Sequence, residues 1–403
     1  MKTNRCAMIA IILIISGAVF YTYKHKLLPD ASFKKATKKP YIIEDVTYLN
    51  EASGLKLAGT LTLPYTALPC PAIILVAGTG RHERNCTMKG HELFTSIADH
   101  LTRQGVAVLR YDKRGVGKSE GTFDTTLTSQ DFASDAQAGL TYLQSRNEIN
   151  ADQIGLLGHS EGGLIICMIA AHNDAIKFLI LMGGAASTKI SDLVDQACLQ
   201  LHADGATEET IALDRKIRTR MLTIVYEEDN HDTANKLLHE AVQLHLDSLT
   251  PNQTAQAEAL VFESGKTYFE PQAPVYTISK LNYEYMIEVF NSPWIRFLLH
   301  YNAPATLQKI TAPTAIINGE FDFIVAKKIT VPVFEKNLIH CSYQVIEIPK
   351  VNHWFETCKT GSIVEYGKTK ETISPAFLEI VGTIVQDNIQ QLEDNHEALA
   401  DLI

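Results

Sequence analysis

Ile154-Gly155-Leu156-Leu157-Gly158-His159-Ser160-Glu161-Gly162-Gly163-Leu164-Ile165-Ile166 carries one apolar run into a glycine-flanked serine and out again into a second. Ile154 to Leu157 is continuous in its apolar character, as strands buried on both faces of a parallel sheet are. Leu164 to Ala171 reads as an apolar helix. Gly158 to Gly162 between them fits G-x-S-x-G, and the strand-to-helix context gives this common pattern its meaning. A serine that acts as a nucleophile must stand on a sharp turn with its hydroxyl exposed, and flanking glycines keep side chains out of that crowded turn. The bland alternative is a glycine-rich turn whose serine merely caps the helix.

Outward from this turn, strands and helices alternate. Tyr41 to Leu49 and Leu55 to Leu63 predict a hairpin around Ala52-Ser53-Gly54, and Ala72 to Ala77 and Val106 to Tyr111 predict strands. His91 to Gln104 and Phe132 to Gln144 each carry one apolar helical face. Phe178 to Gly183, Thr314 to Asn318 and Tyr343 to Ile348 continue the strands, and Pro375 to Gln391 closes the series as a helix. The repetition predicts an α/β fold with a mostly parallel sheet, helices on both faces and ligands at the carboxyl ends of the strands. Between residues 187 and 304 the alternation stops. Helices are expected there over Asp192–His202, Glu208–Glu228, His231–Leu249, Thr254–Glu263 and Ile278–Leu299. We read 187–304 as a helical cap inserted into a core of 41–186 and 305–403. Its aromatic residues, Tyr268, Tyr285 and Trp294 among them, either line a substrate pocket over the catalytic edge or hold the cap together.

A serine hydroxyl is a weak nucleophile that needs a base, and the base needs an orienting acid. Asp322 follows the strand at Thr314 to Asn318, and His353 lies in the loop after Tyr343 to Ile348. Four stretches carry a family resemblance: Ala77-Gly78-Thr79-Gly80-Arg81-His82-Glu83-Arg84, Tyr111 to Ser119, Gly158 to Gly163, and Asn352-His353-Trp354-Phe355. With them the chain resembles the α/β-hydrolase superfamily, and within it a bacterial serine esterase group with a helical cap. The resemblance runs from about Tyr41 to the C-terminus apart from the cap. It departs at Arg81, where the group has proline, and at Glu83, where it has aspartate. It implies Ser160 as nucleophile, Asp322 as acid with Glu320 competing, and His353 as base, in the superfamily's chain order. It also implies an oxyanion hole made by the backbone amides of Glu161 and Thr79, with Gly80 the second choice for the latter. The side chain of Glu161 is expected at a charged rim or in a salt bridge, with direct substrate contact as the alternative. The implied activity is hydrolysis of carboxylic esters through an acyl-enzyme. Thioesterase, acyltransferase and serine peptidase activities, and a non-catalytic binding module, stand as alternatives.

Other signals point nowhere else. Asp112 to Ser119 ends like a phosphate-binding loop but has Asp112 where the first glycine should be, and H-E-x-x-H is absent. His231, His239 and His245 lack ligand-spaced partners, so no metal and no cofactor is expected. A net charge of −10, from 36 basic and 46 acidic residues, speaks against nucleic acid as a partner, and the partner that the resemblance implies is a small-molecule acyl substrate. Seven scattered cysteines form neither a disulfide scaffold nor a zinc motif. Residues 1–28 hold an apolar run, Ala7 to Tyr23, behind Lys2 and Arg5, followed by a linker over 29–40. That run reads as an uncleaved membrane anchor or as an export signal cleaved after Ser16-Gly17-Ala18, with a buried helix as a third alternative, and the first two readings place the catalytic domain on opposite sides of a membrane.

Overall fold

Along Cys70–Val76 successive side chains enter two different apolar layers, Ile73 and Leu75 one, Ile74 and Val76 the other. The period of two thus buries both faces of a single strand, which is why its sequence is apolar throughout. The structure, a computed structural model, describes residues 40–65, 68–186, 189–253 and 280–400. The expected membrane or signal segment lies outside these residues, as do the helix expected over Thr254–Glu263 and Tyr268. No helix among the described residues is long and apolar enough to cross a membrane.

The strands are β1 (Tyr41–Asn50), β2 (Leu55–Pro64), β3 (Cys70–Val76), the two-residue β4 (Thr87–Met88) and β5 (His91–Glu92), β6 (Ala107–Tyr111), β7 (Ile149–His159), β8 (Phe178–Met182), β9 (Thr314–Gly319) and β10 (Tyr343–Ile348). Eight of them make one sheet in the order β1-β2-β6-β3-β7-β8-β9-β10, antiparallel at β1-β2 and β2-β6 and parallel from β6 to β10. On one face lie α1 (Leu93–Arg103) and the last helix, α11 (Pro375–Ala400), through Phe94, Ile97, Phe377 and Val381. On the other lie α2 (Ser129–Gln144) and α3 (Glu161–Ala170), through Phe132, Leu140, Leu164 and Ile165. The sheet and its two helical layers therefore match the sequence reading.

Between β8 and β9 come α4 (Ile190–Ala203), α5 (Glu208–Glu227), α6 (His231–Ser248), α7 (Lys280–Phe290) and α8 (Pro293–His300), and then the short α9 (Ala303–Leu307). The first five gather around their own apolar cluster, which includes Met221, Leu222, Tyr283 and Phe290, so these residues hold the helices to one another. Ala303 and Leu307 rejoin the main core. The single helix expected over Ile278–Leu299 is two helices. Ser292 accepts the amide of Ile295 at 3.4 Å and Pro293 opens α8, so the chain stops and restarts at that serine. A second departure is α10 (Lys327–Asn337), a helix that the β-branched run Ile329-Thr330-Val331 and the internal Pro332 had hidden. Phe334, completely buried against the core, anchors it.

Candidate active site

Ser160 stands where β7 turns into α3, with φ 57° and ψ −123°, a conformation that non-glycine residues avoid. The surroundings enforce it. The Ser160 amide donates to the Met182 carbonyl at 3.0 Å, and the Ser160 carbonyl accepts from Gly163 at 2.9 Å and Ala185 at 3.0 Å. A side chain at Gly158 would put its Cβ 2.2 Å from the Gly162 carbonyl oxygen, so the turn closes only with glycine there.

At the end of β8, Gly183 marks the meeting point. A Cβ on it would lie 2.9 Å from Asp322 Oδ2 and 3.2 Å from His353 Nδ1, immediately after the residue that holds the Ser160 amide. His353 Nδ1 is 2.8 Å from Asp322 Oδ2, and both side chains are buried. The other Asp322 oxygen accepts the amide of Val325 at 2.8 Å. Glu320, the competing acid, faces away and accepts the amide of Lys350 at 2.8 Å.

The His353 loop is pinned by groups that sequence reasoning left unassigned. His159 Nε2 donates to the His353 carbonyl at 2.9 Å, and the two rings lie 4.8 Å apart. Burial, then the proximity of His353, push the pKa of His159 well below the ordinary histidine value, so it serves as a neutral donor. The His353 amide donates to the Tyr366 hydroxyl at 3.2 Å. His159 sits inside the nucleophile motif and so had a signal of position, though none of role.

The turn after β3 is equally tied down. Lys113 Nζ donates to the Gly78 carbonyl at 2.7 Å and lies 3.8 Å from the centre of the Phe132 ring. Burial pushes the Lys113 ammonium below the ordinary lysine range, while the charge of Glu161 works the other way. The Gly78–Thr79 peptide is trans, so a carbonyl held by Lys113 turns the Thr79 amide to the opposite side. His82 Nε2 donates to the Thr79 carbonyl at 2.8 Å, and Nδ1 lies 3.7 Å from Cys86 Sγ. Burial pushes the Cys86 thiol up to about 12, so it stays a neutral S–H.

Burial, aided by Lys113, also lowers the pKa of His82 to about 4. The unfolded chain, with histidine near 6.5, then binds the proton more tightly than the folded one, and stability is lost as pH falls from about 6.5 towards 4. Urea unfolding at pH 6.5 and 4.5 should show the wild type losing about 2 kcal/mol more than His82→Gln over that interval. Equal losses in the two proteins would mean that His82 does not titrate this way.

The side chain of Glu161 is not at a rim, and among the described residues it has no salt bridge. It is 4% exposed and accepts three hydrogen bonds: from Thr79 Oγ1 at 2.9 Å, Ser129 Oγ at 2.6 Å and Trp294 Nε1 at 2.8 Å. A carboxylate can be buried when its lone pairs are met this fully. A small cleft of about 20 Å³ runs beside it, bordered by Thr79, Gly80, Phe132 and Trp294.

The stretch resembling a phosphate loop is a strut instead. Asp112 receives Arg84 through Nε at 3.0 Å and Nη2 at 2.8 Å, and the amide of Lys118 at 2.9 Å, so the loop's own carboxylate takes up these donors. Burial raises the pKa of Asp112, but the Arg84 and amide bonds outweigh it and hold the group below the usual carboxylate range. Arg114 clasps Asp135 through Nε and Nη2, each at 2.8 Å. Among the described residues no three His, Cys, Asp or Glu side chains converge as a metal site.

Residues 70–248 match the family described as serine aminopeptidase, S33. Esterase EstD of Thermotoga maritima is 28% identical over 199 residues, which is 47% of this chain and 46% of that protein. A putative hydrolase of Bacillus subtilis, YtaP, is 29% identical over 127 residues, 28% of this chain and 42% of that one. The chain thus spans under half the length of these two curated relatives. A hypothetical protein of Pseudomonas aeruginosa superposes with a TM-score of 0.51 at 15% identity, covering 90% of this chain and 99% of that one, a likeness of fold. Sheet order, the glycine-flanked serine turn and the family match over residues 70–248 together give this chain the α/β-hydrolase fold.

Proposed function

We propose that the protein is a serine hydrolase that cleaves carboxylic esters through an acyl-enzyme on Ser160. The observation that carries this reading is the buried His353–Asp322 pair, 2.8 Å apart, which faces Gly183, the residue after the one that accepts the Ser160 amide, with Ser160 itself held at positive φ. His353 takes the Ser160 proton as the hydroxyl attacks the substrate carbonyl, and Asp322 orients the imidazole and stabilises its cation. The amides of Glu161 and Thr79 receive the negative charge that builds on the carbonyl oxygen. His353 returns the proton to the leaving alcohol, and water, activated in the same way, then releases the acid.

The family description makes aminopeptidase the second reading. Recognition of a free amino terminus needs an acidic group with lone pairs to spare. Glu161, the acid nearest the nucleophile in sequence, has its oxygens engaged by three protein donors. Esterase EstD among the relatives supports the ester reading.

A panel of p-nitrophenyl esters from acetate to dodecanoate, acyl thioesters and aminoacyl p-nitroanilides separates the alternatives on the full chain. We expect kcat/KM for the best ester to exceed that for any anilide by at least about 100-fold. A faster anilide would replace the esterase reading by the peptidase one, and a faster thioester by a thioesterase.

A further inference from the structure

We propose that the buried Glu161 carboxylate is a positioning residue that fixes the two oxyanion-donating turns against each other and couples them to the helices above the site through Trp294. The inference rests on the serine-hydrolase reading, which makes the amides of Glu161 and Thr79 the donors. The side chain of the first donor residue receives the side-chain hydroxyl of the second at 2.9 Å. That bond spans the hole and sets the separation of its two sides, a quantity to which charge stabilisation in the transition state is acutely sensitive.

The same carboxylate is braced from two further elements, by Ser129 at the start of α2 and by Trp294 in the first turn of α8. Trp294 is itself carried on a stiff mount. Asn291 Nδ2 donates to the His231 carbonyl at 3.0 Å, and Arg296 Nη1 donates to the Glu228 carbonyl at 2.7 Å, which ties the start of α8 to the junction of α5 and α6. A displacement of these helices therefore reaches Glu161 through one N–H, and the Thr79 turn through one more bond.

A carboxylate so near a developing oxyanion would ordinarily oppose it. Three donors and the buried Lys113 ammonium offset that charge, which explains why a negative group is tolerated beside the reaction. The arrangement sacrifices some electrostatic advantage for a rigid spacing, and it lets a substrate that presses on α8 change the chemical step as well as its own binding.

The test uses the full chain with Thr79→Val, Thr79→Ser, Trp294→Phe and the Thr79→Val/Trp294→Phe double variant. None of these changes removes a backbone donor. Kinetics with p-nitrophenyl acetate are paired with inhibition by an alkyl trifluoromethyl ketone, whose adduct with the serine carries the oxyanion. We expect Thr79→Val to lower kcat by about 10- to 100-fold with KM within about 2-fold, and Thr79→Ser to recover most of the loss. Trp294→Phe should lower kcat in the same way, and the double variant should lose less than the product of the two single losses. Affinity for the ketone should fall in step with kcat/KM. The proposal is overturned if kcat stays within about 2-fold while only the thermal midpoint drops, or if the two single losses multiply. Either result leaves Ser160 as the nucleophile untouched. Retained turnover in Ser160→Ala would instead remove the reading beneath the proposal, and the proposal with it.

Discussion

Replacing Ser160 with alanine is expected to lower kcat by roughly 10⁴ to 10⁶ and to abolish labelling by a fluorophosphonate. The effect is this large because the change removes the attacking atom and leaves the rest of the machinery idle. What activity survives comes from binding and from the oxyanion amides acting on water. Alanine keeps the Cβ and asks nothing new of the backbone, which is held at φ 57° by bonds from Ser160, Gly163 and Ala185. The variant should therefore unfold near the wild-type midpoint, and a lost reaction can be read as lost chemistry. Labelling that persisted in the alanine variant would move the nucleophile to another residue.

The second large effect is expected at Asp322. Its Oδ2 faces His353 Nδ1 at 2.8 Å in a buried setting, while Oδ1 is engaged by the amide of Val325. Asparagine fits the same space, but its amide can offer an N–H to Nδ1 and so hold the imidazole in the tautomer that cannot take a proton from Ser160. We expect Asp322→Asn to reduce kcat by about 10⁴ with the fold intact. Glu320→Gln should stay within a few-fold, because Glu320 contacts the Lys350 amide at the surface rather than the imidazole. Kinetics of the two variants side by side decide the matter, and a larger loss in Glu320→Gln would reverse the assignment of the acid.

Much of this protein was legible along the chain. The strands that build the sheet are short apolar or alternating runs whose period is set by the backbone, so β3, β6, β8, β9 and β10 lie close to where the pattern puts them, whereas β7 begins at Ile149, five residues before the apolar run that announced it. The turn at Ser160 was legible because the close approach of Gly158 to Gly162 demands glycines two residues to either side of the serine, which the sequence prints side by side, although the bonds to Met182 and Ala185 that hold it were not. Where local preference and tertiary packing disagree, the chain misleads. Pro332 and its β-branched neighbours argue against α10, yet a buried Phe334 holds that helix. In the other direction, an apolar periodicity that ran on through Ser292-Pro293 concealed the break between α7 and α8.

By itself the sequence determined the α/β alternation and the glycine-flanked serine turn, which follow from spacings within one element or one loop, while Asp322 and His353 were singled out through the family resemblance. Only the tertiary structure decided which acid stands against His353, that His159 pins the loop beside it, and that Glu161 is buried rather than exposed. The partners of Glu161 lie 82 residues upstream at Thr79 and 133 residues downstream at Trp294. A carboxylate at the start of a helix is equally at home in water or under three donors. Its fate depends on which distant side chains the fold brings to it, and no local pattern carries that information.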